Sequence, residues 1–239
     1  MKRLTALAAA AILTACGGGG SDGATATAEG LWTGTTANGT QVNLAILENG
    51  ETWGLYGSSS SVTGALYGNT SSNGTSLSGS GTGFNFVTRT SGNGTYTGSF
   101  TPKGSVNFAV SDGTKFTGTY SAAYDQAASV ASVAGTYTGW AVTGGTTAQT
   151  ATVIIDVNGN VSSSYVSGSL TCATSGKATP RASGKNIYNL QLTFTGNYCA
   201  LGNGTTVNGV ATYDSVSRQL VAMGLNNAKS DGLIYIGAR

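Results

Sequence analysis

From Gly30 onward the chain alternates apolar and polar residues with period two, in short runs separated by turn residues. Val42, Leu44 and Ile46 share one face against Asn43 and Ala45, and Val106, Phe108 and Val110 repeat the arrangement. Val153, Ile155 and Val157 do so again, and between Tyr188 and Phe194 the apolar set is Tyr188, Leu190, Leu192 and Phe194. Successive side chains of a strand point to opposite faces, so each run predicts a strand buried on one side. Asn-Gly or Asp-Gly separates many of them, at Asn38-Gly39, Asn49-Gly50, Asn158-Gly159 and Asp112-Gly113 among others. These pairs tolerate positive φ and suit tight hairpins. The chain holds two prolines and no helical periodicity after Cys16, so the expectation is an all-β protein.

A second pattern places glycine on the aromatic face of a strand. Tyr96, Gly98 and Phe100 alternate with threonine and serine, and so do Phe116, Gly118 and Tyr120. Such a glycine weakens a strand locally but admits a neighbouring ring and permits the coiling that a barrel needs. Many of the 38 glycines therefore read as curvature devices.

The chain also repeats itself. Gly30-Leu31-Trp32-Thr33-Gly34 matches Gly135-Thr136-Tyr137-Thr138-Gly139, and Asn49-Gly50 matches Asn158-Gly159. Val62 to Leu66 resembles Val166 to Leu170, and Ser111-Asp112-Gly113 matches Ser230-Asp231-Gly232. Each half would hold eight short strands. In the first they run Leu31–Thr36, Gln41–Leu47, Thr52–Gly57, Val62–Asn69, Ser76–Phe86, Gly94–Phe100, Ser105–Ser111 and Thr114–Ser121. Eight antiparallel strands close into a small up-and-down barrel without exposed edges. The expected organisation is two tandem barrel-like modules, residues 30–123 and 134–239, joined by a linker, residues 124–133. One continuous sandwich is the alternative. A transmembrane barrel fits less well, because most runs are shorter than the 9–11 residues a membrane strand needs and their outward faces are Thr, Ser and Asn.

The N-terminus changes the picture. Lys2 and Arg3 precede an apolar run from Leu4 to Leu13, then Thr14-Ala15-Cys16. The run is about ten residues, too short to cross a bilayer as a helix. Leu13-Thr14-Ala15-Cys16 resembles the lipobox of bacterial lipoproteins. That resemblance implies a signal peptide over residues 1–15, cleavage before Cys16 and acylation of Cys16 with fatty chains such as palmitate. Residues 16–29, opening with Gly17-Gly18-Gly19-Gly20-Ser21, then form a flexible tether. Gly17 in place of an aspartate favours the outer membrane, in either leaflet.

Loss of Lys2 and Arg3 would bring the 11 basic residues down to the number of acidic ones, 9. A neutral protein lacks the basic footprint of nucleic-acid binding. Cys172 and Cys199 remain after lipidation. In an oxidising compartment they are expected to pair, closing a loop of roughly 27 residues and adding about 3 kcal/mol through chain entropy.

The lipobox, the glycine tether and the repeated modules opening with Gly-x-Trp/Tyr-Thr-Gly resemble Gram-negative surface lipoproteins. They are similar to the barrel modules of transferrin-binding-protein-like lipoproteins. The large handle domains of true transferrin receptors are absent, so capture of an iron carrier is not implied.

Catalytic chemistry finds little purchase. The chain has no histidine, which excludes Ser-His-Asp and Cys-His arrangements, and no Ser-x-x-Lys. Asp156 to Asn160 faintly resembles a calcium loop but lacks its glycine and terminal glutamate, and reads as a hairpin turn. Glu48 and Glu51 flank a turn and would be solvated. Neither an enzyme, a metal nor a cofactor is expected. Trp32, Trp53, Trp140, Tyr56 and Tyr67 fill cores or line a binding surface, with Trp53 and Tyr56 the candidate ligand-binding residues. The functional expectation is a lipid-anchored, non-catalytic module binding a protein or small ligand, or else a structural component of the envelope.

Overall fold

A computed structural model describes residues 26–143 and 145–239 of the chain. Cys16 and the proposed signal segment lie outside the described residues. Among the described residues sixteen strands form two closed antiparallel barrels of eight strands each, in simple up-and-down order. The first comprises β1 (Gly30–Thr36), β2 (Gln41–Ile46), β3 (Glu51–Gly57), β4 (Val62–Asn73), β5 (Ser76–Asn85), β6 (Thr90–Thr101), β7 (Ser105–Val110) and β8 (Lys115–Tyr120). The second comprises β9 (Gly135–Thr143), β10 (Gln149–Ile155), β11 (Asn160–Ser167), β12 (Leu170–Pro180), β13 (Tyr188–Thr195), β14 (Thr206–Asp214), β15 (Gln219–Asn226) and β16 (Gly232–Ala238). The continuous sandwich is excluded, because β8 pairs back onto β1 and β16 onto β9.

Glycine makes both closures. Gly34 faces Gly118 across the β1–β8 seam, and Gly139 faces Gly237 across the β9–β16 seam. A Cβ on Gly34 would collide with the Thr117 carbonyl, and one on Gly139 with the Ile236 carbonyl. The backbones approach too closely there for any side chain.

The internal repeat holds at the hairpins. Gly50 and Gly159 both turn with positive φ, and each carbonyl accepts a bond from the fourth strand of its barrel, from Thr70 N at 2.7 Å and Ala178 N at 2.9 Å. One match does not hold. Val62 to Leu66 opens β4, whereas Gly168 is the turn between β11 and β12. The equivalence of Gly50 with Gly159 and Thr70 with Ala178 puts Gly64 opposite Cys172 instead. Short Gly/Ser-rich words recur by composition, so such a match is weak evidence of register.

Each barrel is floored by the segment that precedes it. Ala28 closes the first, where Trp32 Nε1 donates to Ala28 O at 3.0 Å. The one-turn helix α1 (Val130–Val133) closes the second, where Tyr137 OH donates to Val133 O at 2.7 Å. The helix and a preceding 3-10 turn, Ala122–Asp125, were not expected from the pattern. Single turns are too short to show a 3.6-residue period. Ser129 and Ser132 cap the helix reciprocally, each side chain accepting the other's backbone N–H.

The outer walls of the two barrels pack on each other. Ala45, Leu47, Trp53 and Leu55 meet Val142, Ile187, Val210, Met223 and Ile234, with Tyr124 of the linker among them. This corrects two expectations. Ala45, on the supposed polar face of β2, is buried. Glu48 and Glu51 are not merely solvated, since Arg181 Nε of the second barrel lies 2.7 Å from Glu48 Oε1 and Arg181 Nη2 3.9 Å from Glu51 Oε2. Asp125 in the linker binds Lys103 of the first barrel at 2.9 Å and Lys185 of the second at 2.7 Å.

Candidate functional site

The inward positions of the second barrel are divided between large apolar residues and alanine. Ile155, Val161, Leu190, Leu192, Phe194 and Leu220 build the wall, and Ala141, Ala151, Ala178, Ala211 and Ala222 occupy other inward positions. Eight strands of large side chains would fill such a lumen. The alanines leave a cavity of about 630 Å³, within the range of small-molecule sites.

The cavity is blind at one end. Val133 of α1 forms its floor, and the C-terminal Arg239 secures that helix by donating to the carbonyl oxygens of Ser132 and Ala134. Arg239 also bonds Tyr213 OH at 2.7 Å and lies over the Tyr137 and Tyr213 rings. Tyr235 donates to Tyr137 O at 2.9 Å, and burial pushes its phenol up to about 12. It is a neutral group at any physiological pH. No Lys, Arg, Asp or Glu lines the cavity among the described residues.

At the other end the cavity opens beside the Cys172–Cys199 disulfide, whose Cα atoms are 4.9 Å apart. The expected pairing is therefore present, and it ties the segment after β13 to β12. Tyr165 pairs with Cys172 across β11 and β12, and its ring stacks on Tyr198 at 5.8 Å and 23°. Both rings line the mouth and are partly exposed. Val166 and Leu170 stand exposed on the adjoining hairpin.

Sequence reasoning missed Tyr165 and Tyr198. One signal was present, since Tyr198 adjoins a half-cystine. The partner across the ladder required the register. The two candidate ligand residues do not come together. Trp53 is 3% exposed and lies between the barrels, its ring edge-on to Tyr67 at 4.7 Å and its Nε1 donating to Glu51 Oε1. Tyr56 points into the first barrel, where its hydroxyl donates to Phe84 O at 3.0 Å and burial raises its pKa. Of the tryptophans only Trp32 belongs to a barrel core, and Trp140 packs at the interface. Asp156 turns the β10–β11 hairpin, accepting from Asn158 N and Asn160 N.

Fold and cavity together define a protein of two tandem up-and-down β-barrels, the second holding a blind, uncharged pocket. No protein-family model matches the chain, and no curated protein matches it. Among solved structures it is similar to a protein of unknown function from the DUF3598 family of Nostoc punctiforme. The identity is 11%, over 89% of this chain and 96% of that one, with a TM-score of 0.29.

Proposed function

We propose that the protein is a lipid-anchored, non-catalytic binding module of the bacterial outer membrane, holding a small uncharged apolar ligand in its second barrel. One observation carries the ligand class: a cavity of about 630 Å³, closed below, open above and without a charged group in its lining among the described residues. Burial of apolar surface contributes about 25 cal/mol per Å², so an aliphatic or aromatic ligand gains most in such a lumen. A charged one would lose its hydration without compensation. The open mouth supports binding over a purely structural envelope role. So do the closed barrels, which leave no sheet edge to pair with a neighbour. The lipobox at Cys16 supports the anchor.

Binding is tested with N-phenyl-1-naphthylamine, an uncharged fluorescent probe, on the full-length protein. The expected result is saturable enhancement that Ala151→Phe, filling the lumen near its mouth, reduces at least tenfold. Enhancement unchanged by Ala151→Phe would overturn the site. The anchor is tested by fractionation and by protease treatment of intact cells. Cys16→Ala is expected to release the protein, and unchanged membrane association would overturn the lipid anchor. If the wild-type protein is cleaved only after the outer membrane is opened, it faces the periplasm.

A further inference from the structure

The first barrel holds a cavity of similar size, about 660 Å³, and its lining has a different chemistry. Three of its strands carry glycine in register: Gly68 pairs with Gly81, and Gly81 with Gly94. One step nearer the rim Gly83 pairs with Gly92. Five residues without side chains thus line one wall of the lumen.

These glycines are not all demanded by the fold. A Cβ on Gly68 would collide with Ser80 O, so no side chain fits there. A Cβ on Gly92 would meet nothing within 4 Å, and one on Gly83 only Gly92 O at 4.0 Å. Neither has the left-handed φ that favours glycine. A glycine inside a strand weakens it, and a β-branched or aromatic residue would strengthen it. Packing and backbone geometry therefore do not account for Gly83 and Gly92. What they do is leave the upper lumen open.

Facing this space is a ladder of rings. Tyr96 lies 5.1 Å from Phe108, and Phe108 lies 5.0 Å from Phe116. Tyr96 OH is already bonded to Thr70 Oγ1 at 2.7 Å, and Tyr56 OH to Phe84 O. The rings therefore offer a ligand their carbon surface. Below them Thr52 and Thr70 join their hydroxyls at 2.6 Å. The rim supplies neutral hydrogen-bonding groups, Asn38, Thr40, Asn85 and Thr114, and one carboxylate, Asp112. No lysine or arginine lines the cavity among the described residues, which disfavours an anion.

We infer that the first barrel binds a neutral saccharide. A pyranose ring has C–H faces that pack on aromatic carbon and a hydroxyl perimeter that amides, hydroxyls and a carboxylate can bond. A bare glycine wall lets such a flat, rigid ring enter edgewise and lie close against the backbone. The second lumen has no bare wall of this kind, since no glycine lines it among the described residues.

The inference is tested on the full-length protein by saturation-transfer NMR with methyl β-glucoside, N-acetylglucosamine and cellobiose as probes, and 1-octanol as an uncharged apolar control. Transfer to pyranose ring protons of at least one sugar is expected in the wild type. Gly92→Phe should weaken it at least tenfold while leaving the unfolding midpoint and naphthylamine binding by the second barrel unchanged. Gly83→Val is the smaller alternative from the neighbouring strand and should act likewise. The inference is overturned by no transfer to any sugar, by transfer undiminished in both variants, or by octanol transfer that Gly92→Phe abolishes where no sugar shows any. If neither variant folds, the two glycines are structural and the inference fails too. Because naphthylamine reports the second barrel, failure here leaves the proposed function standing.

Discussion

Trp32 and Tyr137, 105 residues apart in the chain, hold the same place in their two barrels. Each lies on the first strand, is almost wholly buried, and donates to the carbonyl four residues upstream, Ala28 O and Val133 O respectively. The entering chain is thereby fixed as the barrel's floor. In the second barrel that floor is what makes the cavity blind.

Tyr137→Phe keeps the ring and removes the bond, leaving a buried carbonyl without its donor. Such a loss costs about 1–2 kcal/mol. The expected result is a lower urea midpoint with an unchanged slope, and faster hydrogen exchange confined to residues 129–135. Exchange that rises uniformly across the barrel would contradict a local role for this bond.

The interface should make the barrels unfold as one. Trp53 is buried between them, and Trp53→Ala removes its ring from a closed apolar cluster at a cost of about 3–5 kcal/mol. Calorimetry of the variant is expected to show two transitions where the wild type shows one. A single transition, merely shifted, would mean that the barrels communicate chiefly through the linker.

The disulfide is expected to contribute up to about 3 kcal/mol by restricting the unfolded chain. Replacing Cys172 and Cys199 together by serine should lower the denaturation midpoint and expose residues 196–205 to exchange and proteolysis. The stacked Tyr165–Tyr198 pair is carried on the same tie. Naphthylamine binding by the variant should therefore weaken as well. An unaltered midpoint would show that the ladder alone fixes this mouth.

Asp125 gives the fold an acid limit. Hydrogen bonds from Lys103 and Lys185 lower its carboxyl pKa from the usual value of 3.8 to about 2. A depressed carboxylate stabilises the folded state fully above the unfolded value, and that stabilisation is lost as pH falls toward the folded one. Stability should decline between pH 4 and pH 2. Asp125→Asn should be less stable at neutral pH and show a shallower acid decline. The pair is partly exposed, so added salt should reduce the difference. Equal acid slopes in both proteins would remove Asp125 from the account.

Much of the fold was legible in the sequence because its signals are local. Alternation such as Tyr188, Leu190, Leu192 and Phe194 fixes which face of a strand is buried, and Asn-Gly pairs such as Asn49-Gly50 and Asn158-Gly159 mark hairpin turns, whereas Asn93-Gly94 and Asn208-Gly209 lie inside β6 and β14. The matched openings at Gly30 and Gly135 pointed to two modules, and Cys172 and Cys199 to the bridge. What stayed hidden depends on neighbours distant in the chain. The outward faces of Ala45, Val210 and Ile234 read as ordinary strand exteriors, and Trp53 as a candidate ligand residue, until one barrel lies against the other. Period two assigns a residue to a face but does not say what that face meets. The cavities were hidden for a related reason. Ala211 and Ala222 or Gly83 and Gly92 satisfy an inward position as well as Leu does in any pattern of apolar residues. Whether the space they leave is filled by a ring from another strand or stays open is decided by barrel closure, since only closure brings all eight inner faces round one axis.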